Sequence, residues 1–198
     1  MATAAAGTTE AEVGRVETAT RARTRRAILD AAVIVLSRDP AASLGDIAVE
    51  AGVGRTTLHR YFPERTDLLD GLGHHVLDRI AAATDRAQPD RGSALAAIER
   101  LCQEYFALGG ALAMICNDPQ IACRPEWNQE TDADRSMLRL IERGHADGSI
   151  DPEVDPRWAQ QMLWALLYAS WQYVNDHAAP RYQVLDQCLR TLRKALGS

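Results

Sequence analysis

Between Gly54 and Arg60 the chain carries Arg55, Thr56, Thr57, His59 and Arg60 around one large apolar residue, Leu58. On a short helix, that composition leaves most faces exposed. Such a helix makes a poor core and a good array of hydrogen-bond donors. Arginine can reach two acceptors on a guanine edge, and threonine can donate, accept or touch a thymine methyl. The implied chemistry is recognition rather than catalysis. No nucleophile–base motif, phosphate loop or paired-carboxylate motif occurs in the sequence. Gly109-Gly110 lacks the strand context of a dinucleotide site. His74 and His75 are adjacent, so on a helix they point about 100° apart and converge poorly on a metal. Cys116 and Cys123 lie seven residues apart without a zinc-spaced histidine, which favours buried free thiols over a metal or redox sensor. The expectation is a chain that is not an enzyme and needs no cofactor or metal.

Such a helix must be held out from the protein by its neighbours. A first helix is predicted from about Thr20 to Arg38, with Ile28, Ala31, Ala32, Val35 and Leu36 on one face. Arg21, Arg23, Arg25 and Arg26 crowd its first turns, where the helix dipole disfavours cations, so they read either as partners of phosphate or as a solvated charged end. Asp39-Pro40 stops the helix. Ser43 caps a second one, with Asp46 three residues on in a capping-box pattern, and Leu44, Ile47, Ala48 and Ala51 make its apolar face. Gly52 permits a left-handed turn over Val53. The short polar helix follows, and Phe62-Pro63 opens a long fourth helix, about Glu64 to Ala87. Together residues 20–61 read as a helix-turn-helix.

The run Ser43-Leu44-x-x-Ile47-Ala48-x-x-Ala51-Gly52-Val53-x-x-x-Thr57-Leu58-x-x-Tyr61-Phe62-x-x-Arg65-x-x-Leu68 resembles the signature of TetR-type transcriptional regulators. The resemblance implies an all-α fold, with an N-terminal three-helix DNA-binding domain and a C-terminal helical domain for ligand binding and dimerisation. It implies that Arg55, Thr56 and Thr57 face bases and backbone, that His59 stands where the family usually has Tyr, and that Arg60 and Tyr61 follow on that face. Tyr61 also reads as a wedge between helices. Arg65 stands where the family usually has Lys, in a phosphate-contacting first turn. Ser43 caps a phosphate-facing end, and Arg25 completes the DNA-binding set.

The boundaries expected are a disordered arm over residues 1–18, the reading head over 19–65, and the effector and dimerisation domain over 66–198. In the last, helices are predicted from Ser93 to about Leu108, where Gly109-Gly110 breaks the chain, within 111–126, and from about Trp127 to Arg143. A polar turn region over 144–156 precedes two more, at about Asp155–His177 and Arg181–Leu196. The candidate effector pocket is His75, Cys102, Tyr105, Phe106, Met114, Trp127, Met137, Trp164 and Tyr168, although Met and aromatic residues at helical spacing are as readily plain core. Aromatic and Met linings suit apolar or aromatic ligands. The helix at 155–177 is apolar nearly all round, which suits a four-helix bundle across a two-fold axis. Trp158, Leu166, Tyr173, Leu185, Leu189 and Leu192 are the candidate dimer interface.

Composition agrees. Hydrophobic residues are 46% and charged residues 25%, which rules out a wholly disordered chain. Residues 18–65 hold eight Arg against five acids, whereas 66–198 sum to −6, so only the front suits a polyanion. No apolar run reaches the roughly 20 residues of a membrane helix, and no secretory leader is seen, so a cytoplasmic location is expected. The sequence therefore reads as a homodimeric regulator of a palindromic DNA operator, most simply a repressor released by a small-molecule effector. Two rivals are open: an all-helical carrier or enzyme on a retained helix-turn-helix scaffold, and a constitutive DNA-binding protein without effector.

Overall fold

The structure, a computed structural model, describes residues 10–124, 127 and 129–197. The described residues form helices α1 (Glu10–Arg38), α2 (Leu44–Glu50), α3 (Arg55–Tyr61), α4 (Arg65–Ala87), α5 (Ala94–Phe106), α6 (Gly109–Asn117), α7 (Pro119–Ala122), α8 (Asp132–Asp147), α9 (Pro156–His177) and α10 (Arg181–Leu196). No strand occurs among them. One buried cluster runs from Ile28 on α1 to Leu196 on α10, so the reading head and the remaining helices share a core.

Local chemistry sets most boundaries. The Ser43 hydroxyl accepts the Asp46 N–H while the Asp46 carboxyl group accepts from the Ser43 N–H and hydroxyl, at 2.8 and 2.6 Å. This reciprocal cap satisfies two otherwise orphaned donors. Gly52 takes φ +66°, which lets the chain reverse between α2 and α3. Leu58 is fully buried and is the only wholly buried residue of α3. It pins that helix to the core and leaves its other faces out.

Four expectations need correction. The first helix begins at Glu10 rather than about Thr20, so residues 10–18 are helical and not part of a disordered arm. Ala and Glu there favour helix enough to extend it past Gly14. Residues 1–9 lie outside the described residues. Gly109 opens α6 rather than merely breaking the chain: a Cβ there would stand 2.3 Å from the Trp171 ring, so only glycine lets α9 approach. The helix expected from Trp127 starts at Asp132, because Thr131 and Asp134 form a second capping box. It then runs through Gly144 to Asp147, and Gly144 makes room for buried Ile150 within the stretch read as a polar turn.

Candidate functional site

On α3, Arg55, Thr56, His59 and Arg60 are exposed, and Thr57 and Tyr61 are half-buried. The helix presents a polar face, and Arg21, Arg23, Arg25 and Arg26 of α1 are exposed as well. Arg21 and Arg60 flank the Tyr61 ring at 5.9 and 5.6 Å, so Tyr61 ties the middle of α1 to the end of α3. Arg25 lies 5.2 Å over the Phe62 ring. The His59 Nδ1–H donates to the Pro63 carbonyl at 3.2 Å, which leaves Nε2 as an outward acceptor while the ring is neutral.

Arg55 and Arg65, both expected on DNA, also engage the protein itself. Arg55 folds back over Gly45 on α2, within 3.1 Å of where a Cβ would stand. The Asp46 carboxyl is held below its usual range, first by Ser43 and then by the Arg55 charge. Arg65 was expected on phosphate, yet its guanidinium donates to the carbonyls of Ala42 and Pro40 at 2.6 and 2.7 Å. It ties the start of α4 to the α1–α2 loop. The planar fork of arginine, which lysine lacks, reaches both carbonyls.

Higher up, α4, α6, α8, α9 and the loop before α8 line a half-open cavity of about 230 Å³. Trp127, Trp164 and Tyr168 line it, together with Leu77, Ile80, Leu112, Ile115, Cys116, Gln129, Thr131 and Asp134, which the sequence reading had not placed there. Trp164 stacks on Tyr105 with centroids 4.8 Å apart, and the Tyr105 hydroxyl meets that of Thr84 at 2.7 Å. Burial pushes the Tyr105 hydroxyl up to about 12. The Tyr168 hydroxyl donates to Asn117 Oδ1 at 2.8 Å and accepts from Gln172 at 2.7 Å. Asp134 accepts from the Thr131 N–H and hydroxyl and, at 2.7 Å, from Gln160. The buried Trp127 Nε1 has no hydrogen-bond partner among the described residues.

The remaining pocket candidates lie elsewhere. The His75 Nε2 meets the Asp30 carboxyl of α1 at 2.8 Å. Cys102 faces Cys188. Phe106 packs edge-on against Trp171 at 6.5 Å, and Met114 and Met137 are plain core. Cys116 and Cys123 are exposed, not buried. A larger polar cleft of about 880 Å³ separates α1 from α9 and carries Asp30, Arg38, Arg79 and Arg181.

Trp158 (66% exposed) and Tyr173 (48%) on α9 and Tyr182 (73%) on α10 are exposed large side chains. Leu166 and Leu185 are half-buried. Leu189 and Leu192 are buried inside the protomer, so they serve its own core and not an interface. The 3,4-spaced leucines of α10 point inward because α10 packs on α5 and α9.

Residues 28–72 match the model of the bacterial regulatory proteins, tetR family. The chain is 41% identical over 182 residues to the HTH-type transcriptional repressor LfrR of Mycolicibacterium smegmatis, covering 91% of this chain and 94% of the relative. It resembles the crystal structure of the TetR-like regulator LfrR from Mycobacterium smegmatis in complex with proflavine, with a TM-score of 0.73 at 40% identity, over 89% of this chain and 98% of that one. The ketosteroid regulator KstR2 of Mycobacterium tuberculosis shares the fold at 18% identity and a TM-score of 0.68, over 88% and 95% of the two chains.

Proposed function

The chain belongs to the TetR family of helix-turn-helix transcriptional regulators, and on that premise we propose that it is a homodimeric repressor that leaves its operator when an aromatic, positively charged effector enters the cavity beneath α4. Residues 19–65 form the reading head, and 66–198 bind effector and partner. Two copies of α3 enter successive major grooves of a palindromic site. Arg55 swings off Gly45 to read base edges, and the α1 arginines meet phosphate.

The observation that carries the effector reading is the lining. Three aromatic side chains and the Asp134 carboxyl group share one small space, with no basic residue among the described lining residues. That set suits a flat cation. LfrR, the relative crystallised with proflavine, binds a molecule of this class. The cavity is smaller than the roughly 300–1,000 Å³ that buries a drug-sized ligand, so such a ligand pushes its walls apart. Leu77 and Ile80 are walls on α4. Lower on the same helix, His75 grips Asp30, Arg65 grips the α1–α2 loop, and Gly71 admits Arg25 and Phe62. A displaced α4 therefore carries the reading head with it. Release needs a coupling of about 1–3 kcal/mol or more.

The test pairs two readouts. Duplexes selected from a random pool should contain a palindrome, and proflavine should quench tryptophan fluorescence and lower operator affinity in parallel. Asp134→Asn should weaken proflavine at least about fivefold while leaving operator affinity unchanged. Quenching without any effect on DNA would favour a carrier. No quenching by a panel of aromatic cations would favour a constitutive DNA-binding protein.

A further inference from the structure

The core between α5, α9 and α10 holds two thiols that the regulatory reading does not use. Cys102 on α5 and Cys188 on α10 are both buried, with their Sγ atoms 3.6 Å apart. Ser170 of α9, a buried polar residue, also bonds to Cys188. An aliphatic layer would pack here without these polar atoms. We propose that Cys102 and Cys188 are a modification site, an oxidisable pair that closes to an intramolecular disulfide on contact with a hydroperoxide. The sulfurs need to approach by about 1.5 Å to reach the S–S bond length of about 2.05 Å, a shift that χ1 rotation and slight helix movement supply.

The pair is polarised. The Cys188 sulfur accepts the S–H of Cys102 and the hydroxyl of Ser170, which lowers its pKa, whereas Cys102, deeper and facing that developing charge, is raised. Cys188 is thus the attacking sulfur and Cys102 the resolving one. The Cys188 thiolate attacks one peroxide oxygen, and the O–O bond breaks. Cys188 becomes a sulfenic acid, and the leaving hydroxide takes up the proton the thiol released, to depart as water. The Cys102 sulfur then attacks the sulfenic sulfur, the S–O bond breaks, and the hydroxyl departs with the Cys102 proton as a second water. Two thiols and one hydrogen peroxide give one disulfide and two waters, with two electrons passing from sulfur to oxygen. A small uncharged peroxide can reach sulfurs that bulky reagents cannot. The product ties α5 to α10 and closes an 86-residue separation in sequence.

The test uses the full chain carrying Cys116→Ser and Cys123→Ser. Those exposed thiols are removed because trypsin leaves them with Cys102 in one peptide, residues 101–135. The reduced protein is treated with hydrogen peroxide, denatured, blocked with iodoacetamide and digested. The expected product joins peptide 101–135 to peptide 182–190, two hydrogens lighter than the sum, and dithiothreitol separates them. The oxidised chain should melt at least about 5 °C higher than the reduced one. Recovery of both cysteines with the iodoacetamide label, of Cys188 as a sulfinic acid without the link, or of links only between chains would overturn the proposal. None of these readouts depends on DNA or effector, so the outcome is independent of the repressor reading.

Discussion

The Arg65 guanidinium donates to two loop carbonyls 23 and 25 residues away in sequence, so its charge serves the protein's own joint before it can serve phosphate. This separates two accounts of one side chain. Arg65→Lys keeps the positive charge but offers one compact donor in place of a fork. If the tether matters, the lysine variant loses about 1–3 kcal/mol of stability in urea melts and binds every duplex more weakly. Full activity of the lysine variant would return Arg65 to the phosphate role. Tyr105 supports a second prediction. Burial raises its pKa from 10.0 to about 12, so the folded state favours the neutral phenol. That contribution is complete below pH 10 and is lost as pH rises toward about 12. Tyr105→Phe should cost about 1 kcal/mol at neutral pH and flatten the alkaline decline in urea midpoint. An unchanged alkaline slope would show that another group titrates there.

Among the elements, α4 would join the two halves of the proposed mechanism, because one helix carries both cavity walls and joint residues. Helices transmit displacement along their length since their interiors are close-packed and rigid. The contact between α6 and α9 rests on a missing side chain. Gly109→Ala would place a methyl 2.3–2.4 Å from Trp171 carbons, and relief requires moving an indole that also stacks under Arg181. The expected loss is about 1–3 kcal/mol, read as a lower melting temperature by circular dichroism. Melting like the parent would mean that Trp171 can rotate away freely. The same Gly109 reads in sequence as a break, because a glycine's use as a close-approach point depends on a partner 62 residues away.

At the scale of the whole molecule, Trp158, Tyr173 and Tyr182 are exposed on α9 and α10, and exposed aromatic side chains on a helix pair fit an association surface. A two-fold pairing through α9 and α10 would cover it and place two α3 helices on one face of a duplex. Trp158→Glu combined with Tyr173→Glu should give a monomer in sedimentation and lower operator affinity at least about a hundredfold, since each half-site then binds alone. A double variant that stays dimeric would move the interface off this face.

The helices of the N-terminal domain and their caps were legible because their signals are local. A capping box spans four residues, a left-handed turn needs one glycine, and an exposed recognition helix betrays itself by having a single large apolar residue. The Thr131–Asp134 box carried the same local signal and would have placed the start of α8. Which aromatics share a cavity was not legible. Trp164 and Tyr168 line it while Phe106 and Met114 fill core, and all four recur at helical spacing. Periodicity tells that a side chain faces inward; the crossing of α4, α6, α8 and α9 tells what it meets there. The Cys102–Cys188 pairing belongs to the same class, since two residues so far apart in the chain become neighbours only when α5 and α10 pack.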